Sequence, residues 1–254
     1  MVIVSYNVNG IRAAFKKGFL TWLQATNPDV ICIQETKATP EQVAVGLLEE
    51  LGYYHYWMPA VKKGYSGVAL FTKTKPTNIA YGCNIGTYDD EGRIIRADFD
   101  SHSVMSVYVP SGSRSEERQA YKMEWLDVFY DYTTELKQEY PNLVICGDFN
   151  ICHQEIDIHN PKANKNTSGF LPEERAWISK YIDSGFTDGF RHFNTEPHQY
   201  TWWTYRANAR SRNLGWRIDY TMATKPLTDK LVKADILADA VHSDHCPILL
   251  EVAE

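Results

Sequence analysis

The chain contains short apolar runs rich in β-branched and aromatic residues, and several of them end in an acid, an amide or a histidine. These runs cover residues 2–8, 30–36, 67–73, 103–110, 143–149, 217–223 and 247–252. Their length and composition are typical of buried strands. Helical patterns cover 116–138 and 172–183, and Pro172 suits the first turn of the second helix. Strands mixed with helices predict an α/β layered fold.

No linker, composition break or internal repeat divides the 254 residues, and 44% of them are hydrophobic. That content is enough for a substantial core, so we expect one domain over 1–254. The polar stretches 160–171 and 203–216 are predicted to be surface loops. No stretch approaches the roughly 20 apolar residues of a membrane span, and the N-terminus lacks a secretory signal. We therefore expect a soluble, cytoplasmic protein.

The cysteines and the net charge exclude some kinds of site. The five cysteines form no CxxC pair, and several lie in apolar runs, where cysteine behaves as a small apolar residue. Neither disulfides nor a cysteine zinc site is expected. The formal net charge of −6 argues against a protein that coats nucleic acid by bulk charge. Nucleic-acid binding would require a local basic surface.

Polar side chains at strand ends are the candidate functional residues. They are Asn7, Asn9, Glu35, Tyr108, Asp148, Asn150, Asp219, Asp244 and His245. The ends of buried strands are rigid positions at which such groups can converge. Because alternate residues of a strand face the same side, Asp148 and Asn150 are expected to point together.

Each of these residues has a plainer explanation when taken alone. The amides suit turns, Glu35 suits a solvated strand end, and Asp148 follows a glycine where turn acids are common. Asp219 could form a salt bridge with Arg217, His245 could cap a loop, and Tyr108 could belong to the core. The whole set of acids, amides and one histidine, each following an apolar run, favours a shared site.

The chemistry of the set points to phosphodiester hydrolysis. Carboxylate and amide oxygens without a Cys/His cluster form a hard site that favours Mg²⁺ over zinc. A histidine beside an aspartate can act as an acid, a base or a charge stabiliser. A divalent cation, an oriented water and such a histidine suit the hydrolysis of a phosphodiester. No P-loop, dinucleotide-binding turn or G-x-S-x-G elbow competes with this interpretation.

Several sequence blocks in order resemble one family over nearly the whole chain. They include SYNVNGIRAA, IQETK, GYSGVALF, ICGDFNICHQEIDIHNPKANK, SGFLPEERAWI and SDHCPI. The chain resembles the exonuclease III family of abasic-site DNA endonucleases, within the endonuclease/exonuclease/phosphatase superfamily. The resemblance implies a DNase I-like, four-layer αββα sandwich with two central mixed sheets. The active site would lie at one edge, where strand ends and loops meet.

The resemblance also implies roles for the strand-end residues. Glu35 would ligate Mg²⁺ with help from Asn7 and Asp244, and Mn²⁺ would be able to substitute. Asp148 and Asn150 would orient and activate the attacking water. The resemblance further implies that Asp219 holds His245 against the scissile phosphate and that Tyr108 contacts a phosphate oxygen or supports the leaving group.

Residues near two polar loops are expected to bind the substrate. In the family, positions matching Trp202, Trp216 and Ile218 wall a small pocket for a base-less deoxyribose. Two tryptophans are often simply core, but here arginines are interleaved with them, which fits a surface that grips phosphates. The arginines are Arg206, Arg210, Arg212 and Arg217, and Lys62, Lys63, Lys162 and Lys165 would extend the basic face. Arg114, Asn164 and Arg206 are further candidate substrate-binding residues.

Four positions depart from the pattern of many relatives. Ser111 replaces an Asn, Asn9 replaces an Asp, Thr167 replaces a DNA-contacting Asn, and Arg206 replaces an apolar residue that wedges into the duplex. We expect these changes to alter the grip on damaged DNA and the strength of a second metal site. They leave the hydrolytic residues untouched.

The activity implied by the resemblance is Mg²⁺-dependent incision 5′ to an abasic site in base excision repair, leaving a 3′-hydroxyl. Exonuclease (3′→5′) or 3′-phosphodiesterase activity would accompany it, on double-stranded DNA with abasic sites or blocked 3′ ends. We expect a monomer that is a bare catalytic domain. The alternatives are a superfamily phosphatase, an RNase or a non-catalytic scaffold that binds damaged DNA. The paired tryptophans disfavour the first two, and the complete set of hydrolytic residues disfavours the third.

Overall fold

Two six-stranded mixed sheets form the centre of the protein in the computed structural model, which describes residues 1–253. From edge to edge, the first sheet contains β11 (Leu231–Ile236), β12 (Ile248–Val252), β1 (Val2–Asn7), β2 (Val30–Gln34), β4 (Val68–Thr72) and β3 (Tyr54–Met58). The second contains β5 (Asn78–Tyr81), β6 (Ile94–Asp98), β7 (Ser103–Tyr108), β8 (Leu143–Asp148), β10 (Asp219–Thr224) and β9 (Phe186–Asp188).

Helices cover the outer faces of the two sheets. Those of the first half of the chain are α1 (Ile11–Lys16), α2 (Phe19–Thr26) and α3 (Gly46–Glu50), which pack on the first sheet. The others are α4 (Glu116–Glu139), α5 (Pro161–Asn164), α6 (Pro172–Asp183) and α7 (Gly189–Phe193). Helices α4 and α6 pack on the second sheet. Five 3₁₀ segments lie in the described residues at Pro40–Gln42, Gly86–Glu91, Glu155–Asp157, Arg206–Asn208 and Lys225–Lys230. The expected four-layer α/β sandwich is confirmed.

The apolar core lies in three parallel layers, and β8 shows why. Leu143 and Ile145 point outward and pack with residues of α4 and α6. Val144 and Cys146 point inward and pack against the first sheet, for example near Cys32 of β2. A strand covered on both faces must be apolar on both, which explains its nearly continuous apolar sequence.

Pairing between neighbouring strands sets where their ends lie. Strands β1 and β2 run parallel with Asn7 opposite Gln34, and β7 and β8 run parallel with Tyr108 opposite Asp148. Strand β10 is antiparallel to β8, and its first residue, Asp219, also lies opposite Asp148. The ends of β1, β2, β7 and β8 and the start of β10 therefore meet at one edge of the sandwich.

Stretch 203–216 is less exposed than a surface loop should be. Trp203 and Ala209 are buried in a small apolar cluster with Tyr200 and Cys246. The stretch also contains a 3₁₀ turn, and 160–171 contains helix α5. The prediction that both stretches are plain surface loops is therefore only partly correct. The described residues contain no helix with both the length and the apolarity needed to cross a membrane.

Two of the arginines expected to grip phosphates instead hold the fold together. Arg217 is fully buried, and its guanidinium binds Asp157 (Nε to Oδ1, 2.7 Å) and Asp188 (Nη2 to Oδ2, 2.8 Å). Arg210 donates to the backbone carbonyls of Ser243 and Ala240. Neither guanidinium is free to bind a phosphate, because one is bound to two carboxylates and the other to backbone carbonyls of nearby loops.

Asp157 is the centre of the buried ion cluster. Its Oδ1 accepts from Arg217 and from Arg191 (Nη2, 2.6 Å), so one carboxylate joins the 155–157 turn, the segment just before β10, and α7. Burial opposes ionisation of Asp157, but the two guanidinium groups outweigh it and lower its pKa to about 2. The charged form is thus bound more tightly in the folded state than in the unfolded chain.

We expect Asp157→Asn to destabilise the protein in a pH-dependent way. The folded pKa lies below the unfolded one, so the stabilisation by Asp157 is present above about pH 4 and is lost as the pH falls through about 2. The difference between the wild-type and variant free energies of unfolding, measured by urea titration, should shrink by about 2 kcal/mol between about pH 5 and pH 2. A difference that does not change with pH would contradict this.

Candidate active site

A cavity of about 330 Å³ opens at the edge where the strand ends meet. One side is polar and is lined by Glu35, Tyr108, Asp148, Asn150, Asp244 and His245. The other side carries Trp202, Trp216 and Ile218. The structure therefore brings together residues that are up to 210 positions apart in the chain, from Glu35 to His245. Asn7 and Asp219 lie directly behind the polar side, hydrogen-bonded to Asp148 and His245 respectively.

Asp148 is the centre of the polar side. Its Oδ2 accepts from Asn7 Nδ2 at 2.9 Å, and the same amide nitrogen donates to Glu35 Oε1 at 2.9 Å. Its Oδ1 accepts from the backbone N–H of Asn150 at 2.8 Å. Asn7 thus holds two carboxylates close together in a buried place where they would otherwise repel each other.

Asp148 and Asn150 meet, but not in the way the strand pattern predicted. Strand β8 ends at Asp148, and Asn150 adopts a left-handed conformation with φ of 52°. The Asn150 amide nitrogen lies 3.5 Å from Asp148 Oδ2 and 2.8 Å from the Val109 carbonyl, to which it donates. A tight turn, rather than strand alternation, therefore brings the two side chains together.

His245 is held between two carboxylates. Its Nδ1 lies 2.9 Å from Asp219 Oδ2, and its Nε2 lies 3.8 Å from Asp148 Oδ2. Burial alone would lower the pKa of His245, but Asp219 and Asp148 outweigh it and raise that pKa to about 10. His245 is therefore an imidazolium at neutral pH, oriented by Asp219, with Nε2 available as a donor.

The acids of the cluster have opposite pKa shifts. Burial raises the pKa of Asp148 to about 7, and the charges of Asp219 and Glu35 add to this rise while His245 opposes it. Burial also opposes ionisation of Glu35, but Lys37 and the Asn7 hydrogen bond outweigh it and lower the Glu35 pKa. Glu35 is suited to permanent negative charge, whereas Asp148 can exchange a proton near neutrality.

Glu35, Asp148 and His245 form the group best placed to hold a metal ion. Each offers a ligand atom, and these atoms lie within 4.8 Å of one another. The two carboxylates suit a divalent cation that prefers oxygen. Of the three residues expected to ligate the metal, only Glu35 belongs to this group.

Asn7 and Asp244 use their oxygens elsewhere. Asn7 Oδ1 accepts from the Asn9 N–H at 3.0 Å. Asp244 Oδ1 accepts from Asn9 Nδ2 at 2.9 Å, and its Oδ2 accepts from Trp202 Nε1 at 3.1 Å. Asp244 is therefore the link between the polar side of the cavity and its aromatic wall.

Lys37 is a site residue that the sequence analysis did not single out. Its Nζ lies 2.8 Å from Glu35 Oε2 and 2.5 Å from Asn9 Oδ1. It places a positive charge beside the Glu35 carboxylate. The sequence did hold a signal for Lys37, because it lies two residues after Glu35 and ends the IQETK block that resembles the family.

The aromatic wall is fixed before any ligand enters. Trp202 and Trp216 pack edge to face with ring centroids 5.9 Å apart, and their backbones form a β-bridge. Gly169 has φ of +96°, and a Cβ there would lie 2.9 Å from the Trp216 ring. Only glycine lets the 169–171 segment approach this wall so closely.

The other expected substrate-binding residues lie outside the cavity lining. Arg114 and Arg206 are exposed. Asn164 donates from Nδ2 to the carbonyls of His159 and Asn160, so its amide stabilises its own helical turn. Arg212 and the four lysines expected to form a basic face are exposed as well, namely Lys62, Lys63, Lys162 and Lys165.

Of the four departures, two line the cavity and a third lies just behind it. Ser111 and Thr167 line it, and Asn9 lies behind Asp244. The Ser111 hydroxyl is 3.0 Å from that of Ser113, and the Thr167 hydroxyl donates to Asn164 Oδ1 at 3.4 Å. These short side chains are thus engaged locally at the rim.

Known proteins of one family resemble this chain over nearly its whole length. Residues 4–245 match the model of the endonuclease/exonuclease/phosphatase family. An exodeoxyribonuclease of Bacillus subtilis is 45% identical over 252 residues, which cover 98% of each chain. The chain belongs to this family, in its exonuclease III branch.

Solved structures of exonuclease III relatives share the whole fold. An AP endonuclease from Archaeoglobus fulgidus superposes with a TM-score of 0.91 at 31% identity, covering 99% of each chain. A 3′ phosphatase from Neisseria bound to a product DNA hairpin superposes with a TM-score of 0.93 at 27% identity, covering 100% of each chain. The two-sheet architecture is therefore that of the exonuclease III family.

We expect Asp219→Asn to lower the pKa of His245 from about 10 by about 1 to 3 pH units, because a neutral amide no longer favours the imidazolium. NMR titration of the histidine ring signals would measure this. Asp244→Asn is the matched control and should cause a smaller fall, since Asp244 contributes least of the three aspartates that raise this pKa. Equal falls would show that Asp219 does not specifically hold His245.

Proposed function

We propose that this protein incises duplex DNA on the 5′ side of an abasic site, leaving a 3′-hydroxyl, and that it also trims blocked or unblocked 3′ ends. The observation that carries this proposal is the two-sided cavity. A hydrolytic acid and histidine cluster faces a rigid wall of two tryptophans across a space of about 330 Å³. Such a space fits an extruded sugar without its base, and a wall of this kind excludes a normal nucleotide by size.

The relatives support a DNA substrate and hydrolytic chemistry. The Bacillus relative is named an exodeoxyribonuclease, the Archaeoglobus structure is that of an AP endonuclease, and the Neisseria structure is that of a 3′ phosphatase with product DNA. All three act on DNA or its ends by breaking a phosphate ester. Exposed cations such as Arg114, Arg206 and Arg212 would contact the phosphates of the duplex.

The proposed mechanism assigns one role to each group at the cavity. Asp148, with a pKa of about 7, takes a proton from the attacking water, and the Asn150 amide orients that water. The His245 imidazolium donates from Nε2 to a non-bridging oxygen of the phosphate and stabilises the added charge. The water oxygen bonds to phosphorus as the bond between phosphorus and the 3′ oxygen breaks, and the departing 3′ oxygen takes a proton from solvent to become the 3′-hydroxyl.

Tyr108 supports the leaving group in this mechanism. Burial and the charge of Glu35 raise its pKa well above the usual value, so the phenol keeps its proton. Arg93 stacks on the ring 4.7 Å from its centroid and donates to the Tyr108 carbonyl at 2.8 Å, which fixes the side chain. The neutral hydroxyl can then donate a hydrogen bond to the departing oxygen.

We propose Mg²⁺ as the resident metal, with Mn²⁺ able to substitute. Glu35 would be the principal ligand, and Asp148 and His245 border the same space. When bound, the ion neutralises charge on the phosphate and on the leaving oxygen. His245, which Asp219 holds through Nδ1, would then face the phosphate, and Glu35 would supply the oxygens for the ion.

We further propose that residues 1–254 form one catalytic domain that acts as a monomer. The support is that the site draws on side chains from Asn7 in β1 to His245 just before β12, all from one chain. A second copy is not needed to complete the cavity.

The test is a comparison of substrates with and without the catalytic carboxylate. A duplex with a tetrahydrofuran abasic analogue should be cut far faster than an intact duplex, a single-stranded RNA or a phosphoinositide. Asp148→Asn should lower the cleavage rate at least about 10²-fold while DNA affinity persists, because only the proton acceptor is lost.

Asp100→Asn is the matched control for this variant. Asp100 is exposed in the turn before β7, at the opposite end of that strand from Tyr108, and its loss should leave cleavage unchanged. Preference for RNA or a phosphoinositide, or an undiminished rate in Asp148→Asn, would contradict the proposed function.

Chelation should abolish cleavage of the abasic duplex, because the charge on the phosphate and on the leaving oxygen would then not be neutralised. Adding Mg²⁺ or Mn²⁺ in excess of EDTA should restore activity, whereas Ca²⁺, which is larger and less strict in geometry, should restore less. Gel analysis of the product strands measures this. Full activity in EDTA would remove the metal from the mechanism.

A further inference from the structure

A fully buried ion pair lies beneath the active site. Lys122 of α4 and Glu174 of α6 are both 0% exposed, and Lys122 Nζ lies 2.5 Å from Glu174 Oε1. Burying two charges is costly, and such a pair often contributes no more stability than apolar residues of the same volume. Stability alone therefore does not explain why the pair is present. Its contacts to the rest of the site offer the explanation.

The pair joins two separate parts of the cavity. On one side, Lys122 Nζ donates to the backbone carbonyl of Asn150 at 2.8 Å. On the other, Glu174 Oε2 accepts from the N–H groups of Gly169 at 2.6 Å and Leu171 at 3.0 Å. One ion pair thus contacts the turn after β8 and the 169–171 segment at the same time.

Each of these contacts restrains a demanding backbone position. Asn150 is left-handed with φ of 52°, a conformation that costs free energy in a residue other than glycine. Its N–H binds Asp148 while its carbonyl binds Lys122, so both of its peptide groups are fixed. Gly169 packs closely against the Trp216 ring, and its N–H is held by the carboxylate of Glu174.

The polar network continues to the cavity surface. Gln119 Nε2 donates to Glu174 Oε1 at 3.1 Å, and the hydroxyl of Ser168, which lines the cavity, donates to Gln119 Oε1 at 2.8 Å. Gly112 is so close that a Cβ there would lie 1.8 Å from Gln119 Oε1. The rim loop after β7 therefore rests on the same network.

We propose that the Lys122–Glu174 pair positions the active site, setting Asn150 against Asp148 and the 169–171 segment against Trp216 before DNA arrives. Lys122 and Glu174 are positioning residues, since neither reaches the cavity and both act through groups that do. This inference rests on the proposed function, because its effect is read through the hydrolytic role of Asn150. Its physical basis is pre-organisation, in which small displacements of a reacting group cost large factors in rate.

A purely structural pair would behave differently from a positioning pair. If Lys122 only fastened α4 to α6, its loss would lower the amount of folded protein and leave the rate per folded molecule unchanged. Lys137 provides the comparison, because it lies on the same helix and its ammonium donates to the carbonyl of Ser184 just after α6. It links the same two helices without touching Asn150 or the 169–171 segment.

The experiment is a double-mutant cycle on single-turnover cleavage of the tetrahydrofuran duplex, with saturating enzyme and Mg²⁺. In the otherwise wild-type protein, Lys122→Met should lower the cleavage rate constant about tenfold or more. In the Asn150→Ala variant, the same change should lower it only about twofold. The affinity for the duplex should not change. Lys122→Arg, which keeps the charge, should recover much of the rate, and Lys137→Met should leave it within about twofold of the wild type.

Urea unfolding of each variant sets conditions in which all are folded. Lys122→Met leaves the Glu174 carboxylate without its partner, so the double variant Lys122→Met/Glu174→Gln, which removes both charges, repeats the measurement without an unpaired buried charge. It should show the same loss of rate, because the hydrogen bond to the Asn150 carbonyl is absent in both.

The outcomes separate this inference from the proposed function. Equal loss from Lys122→Met in the two backgrounds, or a wild-type rate in the double variant, overturns the positioning role while wild-type cleavage keeps the proposed function intact. If the wild type fails to cut the abasic duplex, the proposed function is overturned first. If Asn150→Ala alone cuts at the wild-type rate, the role of Asn150 is wrong and the positioning role is wrong with it.

Discussion

Face-to-face packing of the two sheets is the constraint on which the rest of the structure depends. The interface is made of small and branched apolar side chains, such as Cys32 and Val68 on one sheet and Val104 and Val144 on the other. Such surfaces fit together closely and in few ways. Once they are packed, Asn7 of one sheet must lie beside Asp148 of the other, and the hydrogen bond between them follows. The chemistry is therefore positioned by apolar contacts that take no part in it.

The same packing explains the electrostatics of the site. Strand ends at the edge of a thick core are mostly buried, so each charge there must be compensated. Lys37 compensates Glu35, and Asp219 compensates His245. Asp148 receives hydrogen bonds, but burial raises its pKa to about 7, and the charges of Asp219 and Glu35 add to this rise while His245 opposes it. A group that changes protonation near neutrality thus results from leaving one acid incompletely compensated.

The walls of the cavity come from loops, and buried ion pairs hold those loops. Asp157 and Arg217 fix the segments next to Trp216, while Lys122 and Glu174 fix the 169–171 segment that packs on it. These loops form only small apolar clusters of their own, so burial fixes them less firmly than it fixes the strands. Charged groups that make several directed hydrogen bonds also hold the loops in place. Burying these groups costs desolvation free energy, but their hydrogen bonds make the pocket rigid.

Sequence patterns determined the elements and the identity of the chemical groups. Apolar runs and helix signals reside in local sequence, which is why helix α4 was expected at 116–138 and is found at Glu116–Glu139. The motif blocks were also sufficient to indicate the family, its sandwich fold and the acids that meet at one edge. Which strands pair, and in which register, follows from contacts between distant residues and was seen only in the structure.

Only the tertiary structure decided what the polar side chains do. Arg217 and Arg210 look like phosphate-binding residues in the sequence, but one is buried against two aspartates and the other holds backbone carbonyls. Lys122 looks like an ordinary helical lysine, yet it lies against the Asn150 carbonyl. The physical reason is that a side chain's type limits the bonds it can make, whereas its partners are chosen by the three-dimensional packing of residues far apart in the chain.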